Sequence, residues 1–166
     1  PKAPPADLSQ TRIGLWLDDP NCPLDPEVRA ALEAFAAELR TAGATVEPIQ
    51  SPVDMRSLLH AYQTLLGGVL GEDMPEKALR GMELMRPFAR RAMARGAGPF
   101  STAALTLADT ARHREWTAAD AVRARLRHEI GGLFDTWHAV LAPFAPVPAF
   151  PHDHRPFTKR VLKLSD

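Results

Sequence analysis

Residues 11–50 hold the pattern that most restricts the fold. In RIGLWLDD, Ile13, Leu15 and Leu17 alternate on one face while Trp16 adds apolar weight to the other, as in a largely buried strand. Asp25 followed by Pro26 is an N-cap residue with proline at the first helical position. Val28, Leu32, Phe35 and Leu39 then recur at helical spacing until Gly43, which predicts a helix over about 26–41. ATVEPI resumes strand character, and Pro48 marks a strand end or an edge. Strand, helix and strand with short joins make a βαβ crossover, which requires a parallel pair in a right-handed unit.

The next stretch is helical. Ser51 and Pro52 repeat the cap pattern, and Met55, Leu58, Leu59, Tyr62, Leu65, Leu66, Val69 and Leu70 fit a helical stripe that should pack on a neighbour. Pro75 opens another helix, with Leu79, Met82, Met85, Phe88, Ala92 and Met93 as its stripe and Gly96, Gly98 and Pro99 at its end. Ser101 caps a long helical region over about 102–136, with an interruption expected near Trp116 and Thr117. Its Leu105, Ala108, Val122, Leu126, Ile130 and Leu133 should face inward, and Arg112, Arg114, Arg123, Arg125 and Arg127 outward. Trp137 to Pro143 reads as a third strand.

This order predicts an α/β fold in which helices cover a small, partly parallel sheet. The 166 residues, 45% apolar and without a shift in composition, suit one domain. Within it, 1–10 reads as a linker, 11–50 as the βαβ unit, 51–136 as a helical region and 137–166 as a strand with a proline-rich tail. Three strands make a poor sheet for so many helices and the chain has no initiator Met, so a fragment of a larger protein is expected.

Twenty basic residues balance twenty acidic ones, which disfavours nucleic acid and anionic membranes as partners. One cysteine, Cys22, rules out an internal disulfide framework and suits a cytoplasmic location. The apolar runs are too short for a membrane span, and the N-terminus has no hydrophobic signal core.

Chemistry is sparse. The strand-to-helix join 17–26 lies where a nucleotide-binding protein keeps glycines, yet it has none. Asp18, Asp19 and Asp25 could be oxygen ligands for a metal, but prolines at 20, 23 and 26 favour a rigid surface loop. His152, Asp153 and His154 could begin a zinc or iron site, but adjacent ligands point in alternate directions and no nearby Cys or Glu completes the set. No metal or cofactor is therefore expected. His138, beside Trp137, reads as a packing residue entering a strand, with a helix-dipole role as the alternative. Ser9, Ser51, Ser57, Ser101 and Ser165 sit in no GxSxG turn. Cys22 lies among acids that oppose a thiolate. Met82, Met85 and Met93 read as core filling or the wall of an adaptable apolar pocket. The arginines of 112–127, interleaved with Glu115, Asp120 and Glu129, read as a solvated helix face rather than an RNA surface.

Two segments resemble the amidase signature family, which includes bacterial amidases and the A subunit of glutamyl-tRNA amidotransferase. Leu8 to Val46, LSQTRIGLWLDDPNCPLDPEVRAALEAFAAELRTAGATV, is similar to the family's strand "lrIGv" followed by a helix of the form "evraAl..aa..L...GA.V". Leu126 to His154, with LFDTWHAVLAPFAPVPAFPHDH, resembles its "lFe.wDvlLaPt.p.pAfph". His138 stands where that pattern commonly has Asp, and Phe144 where it often has Thr. Together the segments cover about two-fifths of the chain.

The resemblance implies an enzyme that cleaves or transfers carboxamide C–N bonds, acting on a small-molecule amide. It also implies a serine nucleophile working with a bridging serine and a lysine, in a glycine- and serine-rich run whose backbone amides hold the oxyanion. No such run occurs here, and Lys2, Lys77, Lys159 and Lys163 have no serine-rich partner. No catalytic residue is therefore assigned, and the expectation is a middle-to-C-terminal amidase segment that is inactive alone. Open strand edges would expose apolar surface or favour a homo-oligomer. The alternatives are a stand-alone α/β interaction module and, more remotely, a metal-binding domain built on His152, Asp153 and His154.

Overall fold

The computed structural model describes residues 7–156 and 159–165. Arg12–Leu15 (β1), Thr45–Pro48 (β2) and Ala139–Leu141 (β3) form a three-stranded sheet of order β2-β1-β3, with both pairings parallel. In register, Ile13 lies beside Val46 on one flank and Ala139 on the other. The α/β architecture read from residues 11–50 is what the chain adopts, and Pro48 ends an edge strand as its missing N–H requires. The chain divides into two compact units, Pro1–Met55 with His128–Asp166, and Arg56–Arg127.

In the first unit, Pro26–Thr41 (α1) follows β1. The Asp25 side chain accepts from the Glu27 N–H at 3.0 Å, Pro26 occupies the first turn, and Gly43 takes φ 104° just beyond the C-cap. Ala36, 0% exposed, packs with Ile13, Leu15, Leu17, Ala44 and Val46, and Leu24, Leu32, Leu39 and Leu141 close over this cluster. Phe35, placed by its spacing on the buried stripe of α1, is instead exposed.

The second unit holds most of Met55–Leu70 (α2), all of Glu76–Ala94 (α3) and Thr102–Asp109 (α4), and the first part of His113–Leu133 (α5). Ser101 caps α4 by accepting from the Ala104 N–H at 3.3 Å, as its sequence position predicts. Pro75 stands at the N-cap position of α3. The expected interruption lies at 110–112 rather than at Trp116 and Thr117, which belong to α5. Its local cause is that Thr110 folds its hydroxyl back onto the Thr106 carbonyl at 2.6 Å, while the Arg112 N–H turns to the Glu115 carboxylate at 2.8 Å.

Two further expectations are corrected. Ser51 does not cap α2, which starts at Met55; its hydroxyl donates to the Val53 carbonyl at 2.7 Å. The large apolar stripes are also not what α2 and α3 bury. Tyr62, Leu66, Val69 and Leu70 of α2, and Met85 and Phe88 of α3, are exposed. On α2 the buried positions are Ala61, Gln63, Thr64 and Gly67, followed by Gly71 just past its end. A Cβ on Gly67 would lie 2.4 Å from the Ala108 carbonyl carbon, and one on Gly71 would lie 2.7 Å from the Asp109 carbonyl oxygen. α2 therefore meets α4 backbone to backbone, and only small residues fit the seam.

That seam sets a test by denaturant unfolding. Gly67→Ala should destabilise the chain by about 1–3 kcal/mol, because the backbone it meets cannot rotate away. Gly81→Ala on α3, where nothing lies within 4 Å of the added carbon, should stabilise by about 0.8–1 kcal/mol through helix propensity. Equal effects at the two positions would refute close packing at Gly67.

Candidate functional site

The carboxyl ends of parallel strands are where an α/β sheet presents groups to ligands. The loops that leave β1 and β3 at this edge are tied together, since the Asp25 N–H donates to the Pro146 carbonyl at 2.8 Å. Asp25 is the centre of this edge. Its side chain is 1% exposed; one oxygen caps α1 and the other accepts from the Ser165 N–H at 2.7 Å. The Ser165 amide is the main influence holding this carboxyl below the usual range; burial opposes it and the Glu27 amide assists. A carboxylate bound by two backbone amides is a structural anchor.

The neighbouring acids are occupied separately. Asp18 pairs with Arg29, and Asp19 accepts from the Asn21 N–H at 2.7 Å. Burial, and then the nearby Asp19, push the Cys22 thiol up, against nucleophilic use. Phe144, at the family position where threonine is frequent, is fully exposed.

The rings of His152 and His154 stack with centroids 6.2 Å apart. Asp153 between them is gripped by Arg155, whose guanidinium makes three bonds to the two carboxylate oxygens at 2.7–3.0 Å and whose backbone N–H adds a fourth at 2.9 Å. Those bonds hold the Asp153 carboxyl at about 2. Among the described residues, no group of three or more His, Cys, Asp or Glu side chains is placed to hold a metal ion.

His138 continues the sheet pairing beyond β3. Its N–H donates to the Arg12 carbonyl at 2.9 Å, and its Nδ1 accepts from the Arg12 N–H at 3.0 Å. The Arg12 guanidinium stacks over the Trp137 ring at 4.9 Å. An Asp at this position could supply the same acceptor with a carboxylate oxygen, so the departure from the resembling pattern keeps the role and changes the group.

A polar cluster around the buried Arg86, in the second unit, was not read from the sequence. Arg86 of α3, 5% exposed, reaches the 110–112 turn and α5. Its Nη1 donates to the Thr110 carbonyl and, at 2.7 Å, to the Thr110 hydroxyl. Its Nη2 donates to both Glu115 oxygens at 2.9 and 2.7 Å, and Arg90 adds a bond at 2.8 Å. Burial raises the Glu115 carboxyl, but the Arg112 amide and the two guanidinium groups outweigh it and bring it down to about 2. Spacing held one signal: Arg86 falls in step with Met82, Ala89 and Met93, the half-buried and buried positions of α3. Of the three methionines considered as a pocket wall, Met82 and Met93 are half-buried and Met85 is exposed.

Two measurements check these assignments. A depressed Glu115 stabilises the fold fully above its unfolded value near 4.5, and that contribution is lost as pH falls towards about 2. Thermal melts of the parent chain should therefore fall steeply over that window. Those of Glu115→Gln should start roughly 3 kcal/mol less stable at pH 7, with Arg86 left buried and unpaired, and vary less with acid. At the sheet, His138→Asp should keep the parent melting behaviour, while His138→Leu should lose about 1 kcal/mol with the Arg12 acceptor.

Compared with known proteins, residues 3–165 match the family model described as Amidase. No curated protein matches the chain.

Proposed function

The chain belongs to the amidase family, and on that premise we propose that it forms the scaffold part of an amide hydrolase whose nucleophile lies outside this sequence. The family match over residues 3–165 carries the reading and supports hydrolysis of carboxamide C–N bonds at the level of the family. The catalytic chemistry proposed for the intact enzyme is the serine–serine–lysine relay. A lysine takes the proton passed through a bridging serine, and backbone amides bind the oxyanion.

Two observations support a scaffold role. The carboxyl edge of the sheet holds Asp25, Asp18 and Asp19, each committed to a backbone amide or an arginine rather than free for proton transfer. The exposed faces of α2 and α3 present Tyr62, Val69, Leu70, Met85 and Phe88, large side chains of the kind that further protein covers. Among the described residues no helix is long and apolar enough to cross a membrane. We propose a cytoplasmic location, a reading that the single cysteine, Cys22, supports.

The expected result with the purified chain is that ammonia release from simple aliphatic and aromatic carboxamides stays at the buffer rate. The same assay on a protein joining this chain to a glycine- and serine-rich amidase segment should show turnover that is lost when its serine is replaced. Turnover by the chain alone, abolished by changing one of its own residues, would overturn the scaffold reading.

A further inference from the structure

We infer that the second unit carries a binding cleft for a small carboxylate with an apolar stem, a role independent of amide hydrolysis. The cleft has a volume of about 490 Å³ and is lined by Arg80, Glu83, Leu84 and Arg86 of α3 and by Thr110 and Arg112 of the turn before α5.

Three features of the lining argue for an anion. Arg86 spends its Nη1 and Nη2 donors on Thr110 and Glu115, but its Nε is buried and meets no acceptor. That N–H leaves part of the guanidinium's positive field uncompensated beneath the wall, where low dielectric strengthens it. Among the described residues, the Arg112 guanidinium makes no ion pair and stands exposed at the rim. Arg80 holds Glu76 at 2.6 Å through an exposed i,i+4 pair, a weak contact that a better anion can displace. With Glu115 shared between Arg86 and Arg90, the cluster keeps an excess of positive charge.

The same lining limits the kind of anion. Glu83 places a carboxylate on the wall, which repels a dianion such as phosphate more than a monoanion. Leu84, 78% exposed, offers an apolar surface that a hydrocarbon stem can cover and a bare inorganic ion cannot. A planar carboxylate also matches the fork of an arginine.

The test is a ¹⁵N–¹H NMR titration of the full chain with sodium butyrate, against sodium phosphate and sodium chloride at matched ionic strength. Butyrate should give saturable shifts at the amides of Glu83, Leu84, Thr110 and Arg112. Arg112→Ala should weaken that binding about 5-fold, the loss of one charge-assisted contact. Arg114→Ala, at an arginine outside the lining, should leave it unchanged, and Glu83→Gln should tighten it. Shifts that fail to saturate, that chloride reproduces or that survive Arg112→Ala would overturn the proposal, as would phosphate binding more tightly than butyrate.

Discussion

Parallel strands cannot be joined by a hairpin; each pairing needs a connection long enough to bring the chain back to the same end of the sheet. β1 has two such partners, and the connections differ greatly. β2 returns after α1 alone, whereas β3 returns only after α2 to α5 have been made. The helical stretch is thus the crossover of one parallel pair grown to the size of a domain. Its ends are fixed where it leaves and re-enters the sheet, by the Ile49 N–H bond to Leu15 and the His138 bonds to Arg12.

Within each unit, one buried charge organises the turns around it. Asp25 draws together the start of α1, the loop at Pro146 and the segment at Ser165 through backbone amides and its own N–H. Arg86 does the corresponding work between α3 and the 110–112 turn, with carbonyl, hydroxyl and carboxylate as acceptors. Both solve the same problem: a chain that stops being helical leaves backbone groups unmet, and an ionised side chain satisfies several at once.

The βαβ unit was legible because its signals are local: alternation in RIGLWL, the Asp25–Pro26 cap and Gly43 each act on adjacent residues. The Ser101 cap was legible for the same reason. What escaped depends on distant partners. Counting large apolar residues assigned α2 the wrong buried face, because the positions it buries are Ala61, Gln63, Thr64 and Gly67, and at Gly67 the value of the residue lies in being small beside Ala108. Arg86 drew no reading at all, because nothing near it in sequence announces Thr110 and Glu115. His138 was read as a packing residue, and its acceptor role appears only once Arg12 is known to lie 126 positions away in sequence. At the carboxyl edge, the sequence correctly showed acids and a proline-rich loop, but not that Asp25 would be enclosed.

The strand order also sets a timetable. During synthesis β1, α1 and β2 can assemble as soon as residue 48 is available, yet the other edge of β1 must wait for Leu141. At ordinary ribosomal speeds that wait lasts roughly 5–20 s. Throughout it a buried-type strand presents unpaired amides and carbonyls to whatever else is nearby. The nascent chain therefore has a defined window of vulnerability to mispairing, which closes only when β3 emerges, and the sequence between residues 48 and 139 determines how long it stays open.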